Sequence, residues 1–273
     1  MQPEALRSLL TVNVVIYLVW SLLLRHISVT QQFVIQHLTL RPELPGLLFE
    51  PWQLITYNFL HLGGGLGGFL HILFNLLWLY WIGRDYEQMH GSHKLMACYV
   101  VAGVTGGLLT LLVYSIVPQA AFVYGASASV IGVLAAVATH YPNRGIGLLF
   151  IGVVPLKYLV IGFLALDLLI GVGSDVAVSA HLGGAIGGFL FARAEQVGID
   201  VWSWAHLLVA TRRSGESRWE AIKAWFSSDR SKSAAGGSRT GGRRRRTRDT
   251  VSDSGIDDSE VDRILDKISE KGY

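Results

Sequence analysis

Charge is what this sequence has least of. Charged residues make up 16% of its 273 positions against 51% hydrophobic ones, and the mean hydropathy is +0.41. A water-soluble domain carries about a quarter charged residues, so the deficit points to lipid rather than to a larger soluble core. The scarcity is uneven. Residues 95–191 hold only Arg144, Lys157, Asp167 and Asp175, whereas the chain after Ala192 is dense in Arg, Lys, Asp and Glu. The net charge of +3 therefore describes a tail and not a nucleic-acid-binding surface. Cysteine is nearly absent: Cys98 is alone, inside an apolar run, which excludes a disulfide framework or a cysteine-based zinc site within one chain. A His-Glu-x-x-His pair is missing as well, so no metal and no cofactor is predicted. No small-x-small cleavage site follows the first apolar run, where Arg25-His26 comes instead, and a retained membrane helix is expected there.

What is present is a series of long apolar runs. A membrane helix needs about 20 apolar residues at 1.5 Å rise each, fewer where protein shelters one end. Six runs qualify: 9–24, 66–82, 95–117, 127–141, 155–172 and 178–191. The apolar stretch 146–154 reads as interfacial, with Pro155 suited to a first helical turn and Lys157 placed to snorkel. The predicted fold is an all-α membrane protein of six transmembrane helices, with a long first outer loop and a largely disordered cytoplasmic tail. Basic residues set its orientation. Arg193, Arg212, Arg213 and Arg243 to Arg246 mark the tail as cytoplasmic, six spans return the N-terminus to the same side, and Arg84, Lys94 and Arg144 fall in inner loops. Arg25 and Arg41, in the first outer loop, run against the rule and are outweighed.

Polar residues inside such runs are expensive and mark function. With this topology the second, fourth and sixth helices all begin at the outer face, which puts His71, Ser127 and His181 in one leaflet. The fourth run is short, about 22 Å of rise against a hydrocarbon core near 30 Å, so the connection 115–126 dips into the membrane beside protein or water. Gly125 allows a tight turn there, and the Ser127 amide, free at a helix start, can face a developing oxyanion. Read alone, Gly125-Ala126-Ser127 is ordinary small-residue packing. His181 changes that reading, because a neutral imidazole can take a serine proton and return it to a leaving amine. Gly184 and Gly188 share its helical face at small-xxx-small spacing, and contact with Ala128, Gly132, Ala135 and Ala136 would bring His181 to Ser127. His71 and Asn75 stand four apart on one face and can donate to a tetrahedral oxygen. His61 sits in a near repeat of the His181 segment and is expected to organise the first loop. Asp167 has no sequence neighbour that makes it a triad acid and is expected to serve as a structural hydrogen-bonding group.

The chain resembles the rhomboid family of intramembrane serine proteases over about residues 51–191. The resemblance is carried by Trp52-Gln53-Leu54-Ile55-Thr56, His71-x-x-x-Asn75, Gly83 with Glu87 and Gly91, Gly125-Ala126-Ser127 and Ala180-His181-Leu182-Gly183-Gly184. It implies a serine endopeptidase acting in or beside transmembrane helices of other membrane proteins, with Ser127 as nucleophile and His181 as general base. The oxyanion hole would comprise His71, Asn75 and the Ser127 amide, and Gly125, Gly184, Gly188 and Glu87 would support the site. No acidic third member is implied, so the site would be a dyad. It further implies a bacterial cytoplasmic membrane, with both termini cytoplasmic and the site opening outward. Three departures stand out. Ala128 replaces the glycine usual after the nucleophile, Ile131 replaces an aromatic that stacks on the base, and residues 63–68 form a longer glycine stretch. With Ile131 in that place, His181 must be held in some other way.

Residues 1–195 are thus read as the membrane domain. Residues 196–226, with Trp202, Trp204, Trp219 and Trp225, read as a juxtamembrane amphipathic segment. Residues 227–255 read as a disordered basic linker and 256–273 as a short C-terminal helix. The expected partners are transmembrane protein substrates and membrane lipid, with no nucleic acid. The competing functions are a catalytically silent rhomboid-like protein that binds membrane clients and a six-helix transporter. A transporter would want charged mid-membrane sites, of which Asp167 is the single candidate.

Overall fold

Apolar runs become helices because backbone amides facing hydrocarbon must find partners within their own segment. The computed structural model describes residues 4–116, 122–148, 151–170 and 175–209. All lie within one unit, Met1–Ala224, and Trp225–Tyr273 is a second unit outside the described residues. The expected linker 227–255, the C-terminal helix 256–273 and most of the amphipathic segment also lie outside them. The helices are α1 (Glu4–Leu22), α2 (Ser28–His37), α3 (Leu44–Phe49), α4 (Gln53–Thr56), α5 (Gly65–His90), α6 (Ser92–Ile116), α7 (Ser127–His140), α8 (Leu156–Ile170) and α9 (Asp175–Gln196). Three helical stretches among the described residues, Glu4–His26, Gly65–His90 and Ser92–Ile116, are long and apolar enough to cross a membrane, and α7 is a shorter apolar helix.

One departure from an all-helical chain is local. The stretch read as interfacial folds as a β-hairpin, β1 (Gly145–Leu148) against β2 (Gly152–Pro155), antiparallel with Gly145 opposite Pro155. Gly145, Gly147 and Gly152 remove helix propensity from this segment, and Gly152 takes a positive φ of 94° at the turn.

The core is a seam of small residues joining α6, α7 and α9. A Cβ on Gly184 would lie 2.1 Å from the Ala128 carbonyl oxygen, and one on Gly188 would lie 1.8 Å from that of Gly132. On the other side of α9, a Cβ on Gly187 would meet the Thr105 hydroxyl at 1.9 Å. Backbones this close gain dispersion contacts along their whole length, which supplies attraction where lipid tails cancel any hydrophobic drive between helices.

The loop between α1 and α5 is clamped to this core by polar bonds. Tyr57 donates to the Gly103 carbonyl at 2.6 Å, Tyr99 donates to the Asn58 carbonyl at 2.9 Å, and Ser129 donates to Asn58 Oδ1 at 2.8 Å. Leu40 and Val123 exchange backbone hydrogen bonds, tying the strand-like approach to α7 onto the same loop. Within the 63–68 stretch the chain closes on itself, since a Cβ on Gly68 would lie 2.1 Å from the Gly63 oxygen, while Gly65 and Gly67 stand open.

Candidate active site

Gly125 turns the chain into α7 at φ 126°, a left-handed value that glycine adopts without strain. Its amide donates to the Tyr57 carbonyl at 2.9 Å, and a Cβ there would press on the His71 ring at 3.1 Å. Glycine is therefore required twice over, by conformation and by space. Ser127 follows as the first residue of α7, so its amide has no acceptor within the helix.

His181 lies near the start of α9, and its Nε2 is 2.6 Å from Ser127 Oγ. Both residues, with Tyr57, His71 and Gly125, line a cavity of about 110 Å³. That is room for a few waters at about 30 Å³ each. The His71 ring faces this space and meets the His61 ring edge-on, with centroids 5.3 Å apart. His61 is buried and stands behind the turn, its Nε2 3.5 Å from the Ala126 amide.

The other residues singled out in the sequence are placed differently. Asn75 is buried but does not line the cavity, because its Nδ2 donates to the His71 carbonyl one turn back at 2.9 Å. Glu87 is 16 residues further along α5 than His71, about 24 Å of helical rise. There it accepts from the Ala5 and Leu6 amides at 2.8 and 3.0 Å and so caps the start of α1. Gly184 and Gly188 form the α7–α9 seam that holds His181 against Ser127.

Asp167 lies at the site. Its expected hydrogen-bonding role has a definite partner, the histidine: its Oδ2 is 2.8 Å from His181 Nδ1. Serine, histidine and carboxylate thus form a continuous chain drawn from α7, α9 and α8. Two further residues escaped the sequence reading, Tyr57 on the cavity wall and Asn58 behind Ser129. Both flank the Trp52-to-Thr56 motif, and an amide and a phenol in an otherwise apolar approach were the available signal.

A second polar cluster occupies the other end of α7 and α9. Glu195 accepts from Tyr86 at 2.8 Å, His90 at 2.7 Å, Lys94 at 2.7 Å and His140 at 3.0 Å. His90, His140 and Glu195 offer ligand atoms within 4.8 Å of one another, the spacing of a possible metal set. The Lys94 ammonium already supplies the cation, however, and the four donors use the lone pairs of the carboxylate. Beside it, Trp202 lies under the Lys94 ammonium at 4.5 Å and meets the Phe191 ring at 6.1 Å. The described start of the amphipathic segment thus packs on the helices, with Trp202 and Trp204 half-buried.

The rhomboid domain model matches residues 48–195. The chain is 34% identical over 149 residues to the rhomboid protease GluP of Bacillus subtilis, covering 53% of this chain and 26% of that protein. It is 33% identical over 147 residues to RHOMBOID-like protein 5 of Arabidopsis thaliana, covering 51% of this chain and 42% of that one. A 68-residue segment is 35% identical to the rhomboid protease GlpG of Klebsiella pneumoniae, covering 25% of this chain and 23% of that protein. The chain therefore spans less than half the length of these relatives. With more than half of its residues inside the matched domain, the chain belongs to the rhomboid family.

Proposed function

We propose that this protein is an intramembrane serine endopeptidase that hydrolyses peptide bonds in or next to transmembrane helices of other membrane proteins. The observation that carries this reading is the 2.6 Å contact between His181 Nε2 and Ser127 Oγ on the wall of a small cavity. In the proposed reaction, Ser127 Oγ attacks the scissile carbonyl carbon while its proton passes to His181 Nε2. The tetrahedral oxygen forms beside the Ser127 amide and the His71 ring, which supply hydrogen bonds as negative charge develops. Asn75 steadies the turn carrying His71 through its Nδ2 bond to the His71 carbonyl. The carbon–nitrogen bond then breaks, and Nε2 returns the proton to the leaving amine. A water repeats the sequence on the acyl-enzyme, giving a carboxylic acid and free Ser127.

In this reading the helices over the six apolar runs all span the bilayer and both termini are cytoplasmic. The cavity then opens toward the outer face. α7, with 14 residues and about 21 Å of rise, is too short to reach both surfaces. Its Ser127 end would lie below the surface, where water reaches the cavity and lipid does not. The 1–195 membrane domain carries the chemistry.

A fluorophosphonate probe tests the proposal. The full chain in detergent should be labelled, with labelling lost in Ser127→Ala and in His181→Ala. Equal labelling of wild type and Ser127→Ala, or none of a demonstrably folded wild type, would favour a catalytically silent client-binding protein.

A further inference from the structure

We infer that Asp167 is a positioning residue, the third member of a Ser127–His181–Asp167 relay in a site that the family pattern would leave as a dyad. The inference rests on the proteolytic reading above and adds to it the group that holds the base.

Three observations carry it. First, Asp167 Oδ2 lies 2.8 Å from His181 Nδ1, the ring nitrogen opposite the one that faces serine, while Nε2 is 2.6 Å from Ser127 Oγ. A carboxylate accepts only, so Nδ1 carries the hydrogen and Nε2 presents its lone pair to the hydroxyl. That is the tautomer proton removal requires. Second, Asp167 is the partner that His181 Nδ1 has among the described residues, so it is this carboxylate that fixes the Nδ1 edge of the ring. Third, Asp167 shares the apolar helix α8 with a single other charged residue, Lys157, at its opposite end. A carboxylate is costly in such a helix unless a partner holds it. Its partner among the described residues is the His181 ring, and both side chains are largely covered, 22% and 18% exposed.

The proton account closes without moving a proton onto Asp167. When Ser127 Oγ bonds to the carbonyl carbon, its hydrogen goes to Nε2 and the ring becomes a cation between hydroxyl and carboxylate. Asp167 remains ionised and stabilises that cation. When the carbon–nitrogen bond breaks, Nε2 gives its hydrogen to the amine and the neutral ring is restored. A purely structural tie between α8 and α9 would give none of this and would serve equally well as an amide.

The test is kinetic, with full-length wild type, Asp167→Asn and Asp167→Glu reconstituted in liposomes with a transmembrane substrate. Asparagine keeps the shape but can donate to Nδ1 and favour the wrong tautomer. Asp167→Asn should lower kcat by about 10⁴-fold, as the same change does in a Ser-His-Asp triad, with KM within about twofold. Its fluorophosphonate labelling should slow in parallel, and its thermal midpoint should stay near that of wild type. Asp167→Glu should recover at least a tenth of wild-type kcat. If Asp167→Asn keeps kcat within twofold, the relay is wrong. If it loses activity only in proportion to folded protein, as the thermal midpoint and circular dichroism would report, the residue is structural and the inference fails. A folded wild type that neither cleaves nor labels would instead refute the protease reading itself.

Discussion

Helices α7 and α9 meet through polar side chains twice, at Ser127–His181 and, about 20 Å further along, at His140–Glu195. Each end pairs histidine with a carboxylate, yet the accounting differs. Glu195 is 5% exposed and receives four donors, two histidines, a lysine and a tyrosine, so every group there is committed to another group of the protein. Among the described residues Asp167 receives one donor, and the histidine it holds points its other nitrogen at a hydroxyl on the wall of a cavity. A saturated network fixes structure. A network with one bond left for an outside molecule is what chemistry requires. Between the two ends, the glycine seam makes both geometries depend on a single helix contact.

Four outcomes would sharpen or break this contrast. The largest effect should come from the seam itself. Gly184→Leu places side-chain atoms where the Ala128 carbonyl stands, 2.1 Å from the Cβ position, and forces α9 away from α7. A displacement of about 1 Å costs on the order of a hundredfold in rate, so labelling of Ser127 should fall at least that far. Gly162→Ala on α8, where a Cβ would meet nothing within 4 Å, is the matched control and should label normally. Second, Glu195→Ala strands Lys94, His90 and His140 without their acceptor and should cost about 3 kcal/mol of stability, read as a lower denaturation midpoint. The folded fraction should keep its probe reactivity, which would separate the anchoring end from the reactive end. Loss of reactivity without loss of stability would erase the distinction.

The sequence made part of this legible for identifiable reasons. Glycines four apart in Gly184 and Gly188 are a local pattern, and their consequence, close approach of α9 to α7, is a local property of helix surfaces. Gly125 and Ser127 likewise sit in a short motif whose turn chemistry is intrinsic. The Asp167–His181 contact is of another kind: it depends on how α8 is rotated against α9, which no spacing between the two residues encodes. The same holds for Glu195, whose partners come from three helices and lie 55 to 109 residues away. The hairpin at 145–155 was not legible because an unbroken apolar run carries no alternation, and only the scattered glycines spoke for it. Glu87 was read with the site through its motif, whereas its chemistry is that of a helix cap at the far end.

Third, because Lys94 already provides the cation at Glu195, millimolar EDTA should leave the thermal midpoint unchanged. A chelator-induced fall would mean that the cluster holds a metal instead. The fourth outcome, a local one, concerns the loop before α5. There, Glu50 is 2.5 Å from His37, and that hydrogen bond, with Arg41 nearby, holds its carboxyl below the ordinary range. Such a group contributes stability that is complete above the unfolded carboxylate value, near 4.3, and is lost as pH falls through its lower folded value. Protease nicking around α3 should therefore increase on acidification below about pH 4, and Glu50→Gln should nick readily already at neutral pH.

The central claim is that a serine and a histidine from separate helices hydrolyse peptide bonds inside a membrane. The most direct measurement is cleavage of a purified single-span substrate by the full chain in liposomes, with products weighed by mass spectrometry. The account predicts two fragments whose masses sum to substrate plus one water, formed by wild type and absent with Ser127→Ala. Cleavage that persists in Ser127→Ala at the wild-type rate would contradict it.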